Sequence, residues 1–101
     1  MVFAIIYKWK VTQGKEKEFE RLWRESTLII MKEYNSLGSS LHKTTDGYYM
    51  AYARWPKLTM WNKMMKEYDS TEEINDFWEK YVREVQDPII LQLIDDKLKL
   101  K

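Results

Sequence analysis

Leu37–Trp61, LGSSLHKTTDGYYMAYARWPKLTMW, sets the architecture of this chain. Gly38 can take the left-handed geometry that ends a preceding helix. Asp46-Gly47 suits a two-residue type I′ hairpin, in which both central residues need positive φ. Pro56 closes the second strand just before a new apolar helical stripe. The spacing predicts strands over 39–45 and 48–55. A two-residue turn pairs Thr45 with Tyr48 and His42 with Ala51. Period two then places Ser40, His42 and Thr44 on one face with Tyr49, Ala51, Ala53 and Trp55. Leu41 and Lys43 share the other with Tyr48, Met50, Tyr52 and Arg54.

Upstream, Val2–Val11 reads as a first strand, with Phe3, Ile5, Tyr7, Trp9 and Val11 on one face. Thr12-Gln13-Gly14 turns the chain into a helix from Lys15 to Asn35 carrying Phe19, Leu22, Trp23, Ser26 and Ile30. Leu28–Met31 widens that stripe and predicts cover on more than one side. Downstream, a helix opens near Lys57 with Leu58, Trp61, Met65 and Tyr68 at helical spacing. Ser70-Thr71-Glu72-Glu73 reads as a capping box for a further helix, with the stripe Ile74, Phe77, Trp78, Tyr81 and Val85. Asp87-Pro88 stops it, and Ile89–Ile94 forms the last strand, trailing irregularly to Leu100.

The order is β-α-β-β-α-α-β, with the second crossover split in two. Right-handed crossovers then give a single α+β domain over 1–101 with a ferredoxin-like βαββαβ fold. Its four-stranded antiparallel sheet runs in the order 4-1-3-2, with the helices on one face. The first and last strands are apolar on both faces, and helices cover only one. The other face calls for a homodimer packed sheet to sheet.

Composition narrows the function. Among 101 residues, 17 basic side chains face 16 acidic ones, so no charge footprint marks nucleic acid or an anionic membrane. The alternating Lys97–Lys101 end reads as a strand end or frayed tail. The absence of cysteine excludes disulfides, iron–sulfur sites and thiolate catalysis, and a single histidine leaves no His/Cys cluster for a transition metal. Val2–Tyr7 is too short to span a bilayer and lacks a leading basic region, so the expectation is a cytoplasmic protein.

No motif spells out a chemistry by itself. On the hairpin face, small residues in the middle and aromatics at both ends admit two readings: close seating of the helices, or room for a ligand. Histidine is the side-chain type suited to proton transfer near neutrality, so His42 is a candidate base, and otherwise a partly solvated edge residue. Asn62 could bond a ligand oxygen or face solvent. Met60, Met64 and Met65 could form an adaptable pocket wall or fill the core.

The segments IIYKWKVTQGKEKEF and LGSSLHKTTDGYYMAYARWP, with KLTMW after the second, resemble the antibiotic-biosynthesis-monooxygenase-like (ABM) group of the dimeric α+β barrel superfamily. The resemblance covers nearly the whole chain. It implies a homodimer with facing sheets and a cavity between sheet and helices in each protomer. It also implies an oxygenase that needs no flavin or metal and acts on a small phenolic or quinol-type aromatic. In that reading His42 is the catalytic base, and Tyr49, Trp55, Trp61 and Asn62 are the substrate-binding groups. Haem-degrading members carry a tryptophan where Trp55 stands, but their iron-ligating histidine has no counterpart after Trp55, nor their asparagine in the first strand. The remaining alternative is a non-catalytic, small-molecule-binding or stress-associated barrel. An RNA-recognition domain shares the strand order, but the aromatic positions of its third strand fall on Met50 and Ala53 here.

Overall fold

A computed structural model describes residues 2–69 and 71–98. Its elements are β1 (Phe3–Val11), α1 (Glu16–Tyr34), β2 (Gly38–Lys43), β3 (Tyr49–Trp55), α2 (Leu58–Glu67), α3 (Glu72–Tyr81), β4 (Val82–Val85) and β5 (Ile89–Gln92). The antiparallel sheet runs β2-β3-β1-β4, and β5 also pairs with β1. This is the expected ferredoxin-like α+β arrangement with its last strand in two pieces. β4 lies against Trp9–Val11, and β5 against Phe3–Ile6.

That division corrects the expected end of the third helix. Val85 completes a helical stripe in sequence, yet the helix stops at Tyr81 and Val82 is already extended. The competing force is the open edge of β1. Val82 pairs with Val11, Thr12 N donates to the Tyr81 carbonyl at 2.9 Å, and Gln86 N donates to that of Lys8 at 3.1 Å. β-Branched valines fit such a ladder better than a helix end. Pro88, with no N–H to offer, separates β4 from β5. The start of α3 is capped by Thr71, whose side chain accepts from Ile74 N. Ser70, the expected first residue of the capping box, lies outside the described residues, as do Lys99–Lys101 of the tail.

The hairpin register is also corrected. β2 pairs with β3 as Lys43↔Tyr49, His42↔Met50 and Leu41↔Ala51, one residue away from the two-residue turn. Asp46 does not adopt the positive φ that type I′ demands; among the loop residues 44–48 only Gly47 does, at 89°. Thr44 explains the longer loop. Its N–H donates to the Tyr48 carbonyl at 2.7 Å, and its Oγ1 accepts from Tyr48 N at 2.9 Å and contacts Asp46. A three-residue loop with glycine in the left-handed position results.

The slip turns over every side chain of β2. Ser39, Leu41 and Lys43 now share the helix-covered face with Tyr49, Ala51, Ala53 and Trp55, which alternate as buried positions along β3. Ser40 and His42 lie on the opposite face with Met50, Tyr52 and Arg54. Helix α1 likewise ends earlier than Gly38: Asn35 takes the left-handed cap at φ 61°, and Gly38 opens β2. The outer side of the second half of α1 is not covered within one chain, where Leu28 and Ile29 are exposed.

The core divides into two apolar clusters. One gathers Trp9, Val11, Phe19, Tyr49, Ala51, Tyr81 and Val82. The other gathers Ile5, Ala53, Trp55, Trp61 and Met64. Tyr7 packs against both. Among the described residues no helix is long and apolar enough to cross a membrane.

Candidate functional site

The seam between the two clusters does not close. A cavity of about 330 Å³ lies between the sheet and the helices, near the lower end of the range that holds small ligands. β1 supplies Tyr7 and Trp9, and β3 supplies Ala53 and Trp55. Trp23, Ser26 and Ile30 come from α1, Met64 and Met65 from α2, and Ile74, Phe77 and Trp78 from α3. Tyr68 and Asp69 reach it from the junction of α2 and α3. Val85, Gln86 and Pro88, at the break between β4 and β5, border it too, and Val85 is 60% exposed. The cavity therefore opens where the last strand is interrupted.

Both readings of the small residues on β3 are realised, one at each alanine. Ala51 lets the Trp9 and Phe19 cluster close over it. Ala53 forms floor beneath the cavity. Flat rings form the walls: Tyr7 stacks on Trp9 at 5.5 Å between centroids, and Trp9 on Trp78 at 5.5 Å. Phe77 meets Trp78 edge-on at 4.9 Å.

Few polar atoms face this space, and most are tied. Trp61 Nε1 donates to the Tyr7 hydroxyl at 2.8 Å, and the Tyr68 hydroxyl donates to Ser26 Oγ at 3.3 Å. Burial pushes the Tyr7 phenol up to about 12, against the lowering effect of the Trp61 bond, and the Asp69 charge raises it further. Burial likewise holds the Asp69 carboxyl above the usual carboxylate range, while a hydrogen bond with Trp78 works the other way. Trp55 is almost fully buried, and its indole N–H has no partner among the described residues. An unmade buried bond of this kind costs about 1–3 kcal/mol. Among the described residues, no three His, Cys, Asp or Glu side chains gather where a metal could be held.

The sequence-predicted site residues separate on this geometry. Trp55 lines the cavity, and Trp61 acts on it through Tyr7. Tyr49 sits in the neighbouring cluster, where its hydroxyl donates to the Glu20 carboxylate; burial first, then that bond, raises its pKa. It borders a separate, open depression along β2 instead. Asn62 is exposed on α2, because the turn that buries Trp61 and Met64 directs position 62 outward. His42 is exposed on the edge strand β2, within 2.8 Å of Ser40 Oγ, where it borders the same open depression as Tyr49 and not the cavity. The expectation that it shares a face with Tyr49 and Trp55 fails with the hairpin register.

Tyr7 and Asp69 are the polar groups that sequence reading missed. Tyr7 stood on the expected buried face of β1 and passed for core. Asp69 stood in the polar break between two helices. The one signal for it was a carboxylate set directly beside the aromatic stripe of α2.

Among solved structures, the chain superimposes on SnoaB, a cofactor-independent oxygenase from Streptomyces nogalater, with a TM-score of 0.78. The match covers 97% of this chain and 98% of that one at 11% identity. A conserved protein from Methanosarcina mazei Go1 gives 0.74 at 15% identity, covering 91% and 92% of the two chains. A Deinococcus radiodurans protein that carries the antibiotic biosynthesis monooxygenase name gives 0.71 at 9% identity, with both chains covered in full. No family model and no curated protein matches the sequence. The chain thus has the ABM-type ferredoxin-like fold, shared through its architecture with proteins of very different sequence.

Proposed function

We propose that this protein is a cofactor-independent monooxygenase acting on a small phenolic or quinol-type aromatic. The observation that carries the reading is the cavity itself: a flat-walled, apolar space whose few polar groups include a tethered phenol and a carboxyl group. The oxygenase name of a structural neighbour supports it.

The chemistry asks little of a protein. A phenol that has lost its proton passes one electron to O₂, and the ring radical and superoxide then combine to form a C–O bond. Loss of water from the resulting hydroperoxide leaves a carbonyl: one oxygen atom of O₂ stays on the ring, the other leaves as water. The protein supplies a proton acceptor, a donor for the developing oxyanion and a dry cavity. Tyr7 is such a donor. With Trp61 bonded to its oxygen, its own proton is left for a ligand oxygen. Trp55 keeps its expected place as wall, whereas Trp61, expected to touch the substrate, supports Tyr7 instead. Tyr49, Asn62 and His42 have no place in this reading.

The same proposal includes a homodimer through the outer sheet face. Ile6, Met50, Tyr52, Ile89 and Leu91 lie there, with Ile89 55% and Leu91 39% exposed in the single chain. Oxygen uptake against a panel of hydroquinones, with chelator present, tests the function. Uptake that yields the oxygenated product and water supports it. A cavity that binds the aromatics without any uptake replaces it with a binding barrel.

A further inference from the structure

Asp69 is the sole charged side chain lining the cavity among the described residues. The rest of its surroundings are rings, thioethers, alkyl groups and neutral polar groups. It is partly buried at the α2–α3 junction, and the Trp78 indole engages its carboxyl group. Tyr7, on β1, feels its charge, so the two groups act on the same space from the helix side and the sheet side. One is an acceptor, the other a donor whose oxygen is already held by Trp61. An aromatic ring lying among Trp9, Trp55 and Trp78 would have one polar pole to satisfy at each.

We infer that Asp69 is the catalytic base and polar anchor of this cavity, accepting the hydroxyl of the bound phenol or quinol and then its proton. The inference rests on the functional reading above and replaces His42, which does not line the cavity. In the step itself the ligand O–H bond breaks. Its electron pair stays on the ligand oxygen as phenolate, and the proton moves to the Asp69 carboxylate. It leaves again with the water formed from O₂. A carboxylate in an apolar wall is a stronger base than one in water, which brings it closer to the phenol it must deprotonate.

The cavity residues on the elements around Asp69 are few. β1 brings Tyr7, the end of α2 brings Tyr68, and α1 brings Ser26 and Thr27. From α3 come Ile74, Phe77 and the bonded Trp78. None of these carries a charge at neutral pH. Turnover should therefore rise with pH along a single acid limb lying above the ordinary carboxylate range.

The test uses the full chain. Calorimetric titration with 1-naphthol and with 1-methoxynaphthalene reads the anchor. A charged hydrogen bond predicts that naphthol binds at least about tenfold tighter. Asp69→Leu, which removes the acceptor, should bring the two probes to similar affinity. In the oxygen-uptake assay Asp69→Asn should lower turnover by about 10²–10⁴-fold and abolish the acid limb. Equal binding of both probes by the unmodified protein overturns the assignment and leaves the cavity reading standing. So does an unchanged pH profile in Asp69→Asn. Failure to bind either probe overturns both. Because the first comparison needs no variant, a misfolded substitution does not shield the proposal.

Discussion

Ala51 and Ala53 stand on the same face of the same strand, yet the same substitution should act on them with opposite sign. Ala53 borders the cavity, whereas Ala51 is 2% exposed beneath the closed cluster of Trp9, Phe19 and Tyr49. Replacing alanine by leucine adds three carbons. At about 0.8 kcal/mol for each buried CH₂, filling the cavity at position 53 gains about 2.4 kcal/mol. Ordering the leucine side chain costs about 0.5–1 kcal/mol. Ala53→Leu should therefore stabilise the protein by roughly 1.5 kcal/mol. At Ala51 the same atoms have nowhere to go, and overpacking costs about 1–3 kcal/mol. The two variants should differ by about 2.5–4.5 kcal/mol, which separates their melting temperatures by at least about 10 °C in a domain of this size. Thermal unfolding followed by circular dichroism, at one fixed protein concentration, gives the comparison. Ala53→Leu should also lose 1-naphthol binding while remaining folded. Equal destabilisation of both variants would show that no usable space exists above Ala53, and the site would have to be sought elsewhere.

Other outcomes follow from single contacts. Asp69 has a raised folded-state pKa, so the native state holds its proton more tightly than the unfolded chain does. Stability should fall as pH climbs from the unfolded value of 3.8 through the raised native one, and Asp69→Asn should flatten that slope and be the more stable form at pH 7 in urea titrations. Trp61→Phe removes the bond to Tyr7 and should cost about 0.5–1.5 kcal/mol for the hydrogen bond, beyond any loss of packing; an unaltered urea midpoint would deny Tyr7 its support. Gly47→Ala meets no neighbouring atom but must keep a φ of 89°, so its cost of about 1–2 kcal/mol is purely conformational. Leu91→Asp on the outer sheet face should turn a micromolar dimer into a monomer by sedimentation velocity, and an unmodified protein that is already monomeric would refute the dimer.

The elements that sequence reading placed well are those in which periodicity, caps and breakers agree. The opening strand with Ile5 and Trp9 inward, the long first helix and the Trp55-Pro56 exit all stand where their patterns put them. The errors arose where two local signals competed. Asp46-Gly47 suits a two-residue turn, but the Thr44 hydroxyl offers the backbone a longer one, and one residue of register decides which face His42 occupies. Val85 fits both a helical stripe and a strand, and the free edge of β1 settles the matter only once the chain has folded. The site was hidden for a related reason. A cavity is a property of two clusters failing to meet, and no local pattern at Tyr7 or Asp69 records that failure.

The interruption between β4 and β5 has a kinetic consequence. Ile6 pairs with Ile89 and Trp9 with Val85, so the stretch of β1 at Tyr7 faces the gap and not a continuous ladder. The segment across it holds to β1 by one backbone bond, from Gln86 N to the carbonyl of Lys8. Parting that segment is a local event, far less demanding than unfolding the sheet. A guest could then come and go through this seam while the rest of the molecule stayed rigid. Its residence time would then depend on how often a few edge residues breathe as well as on how tightly the rings hold it.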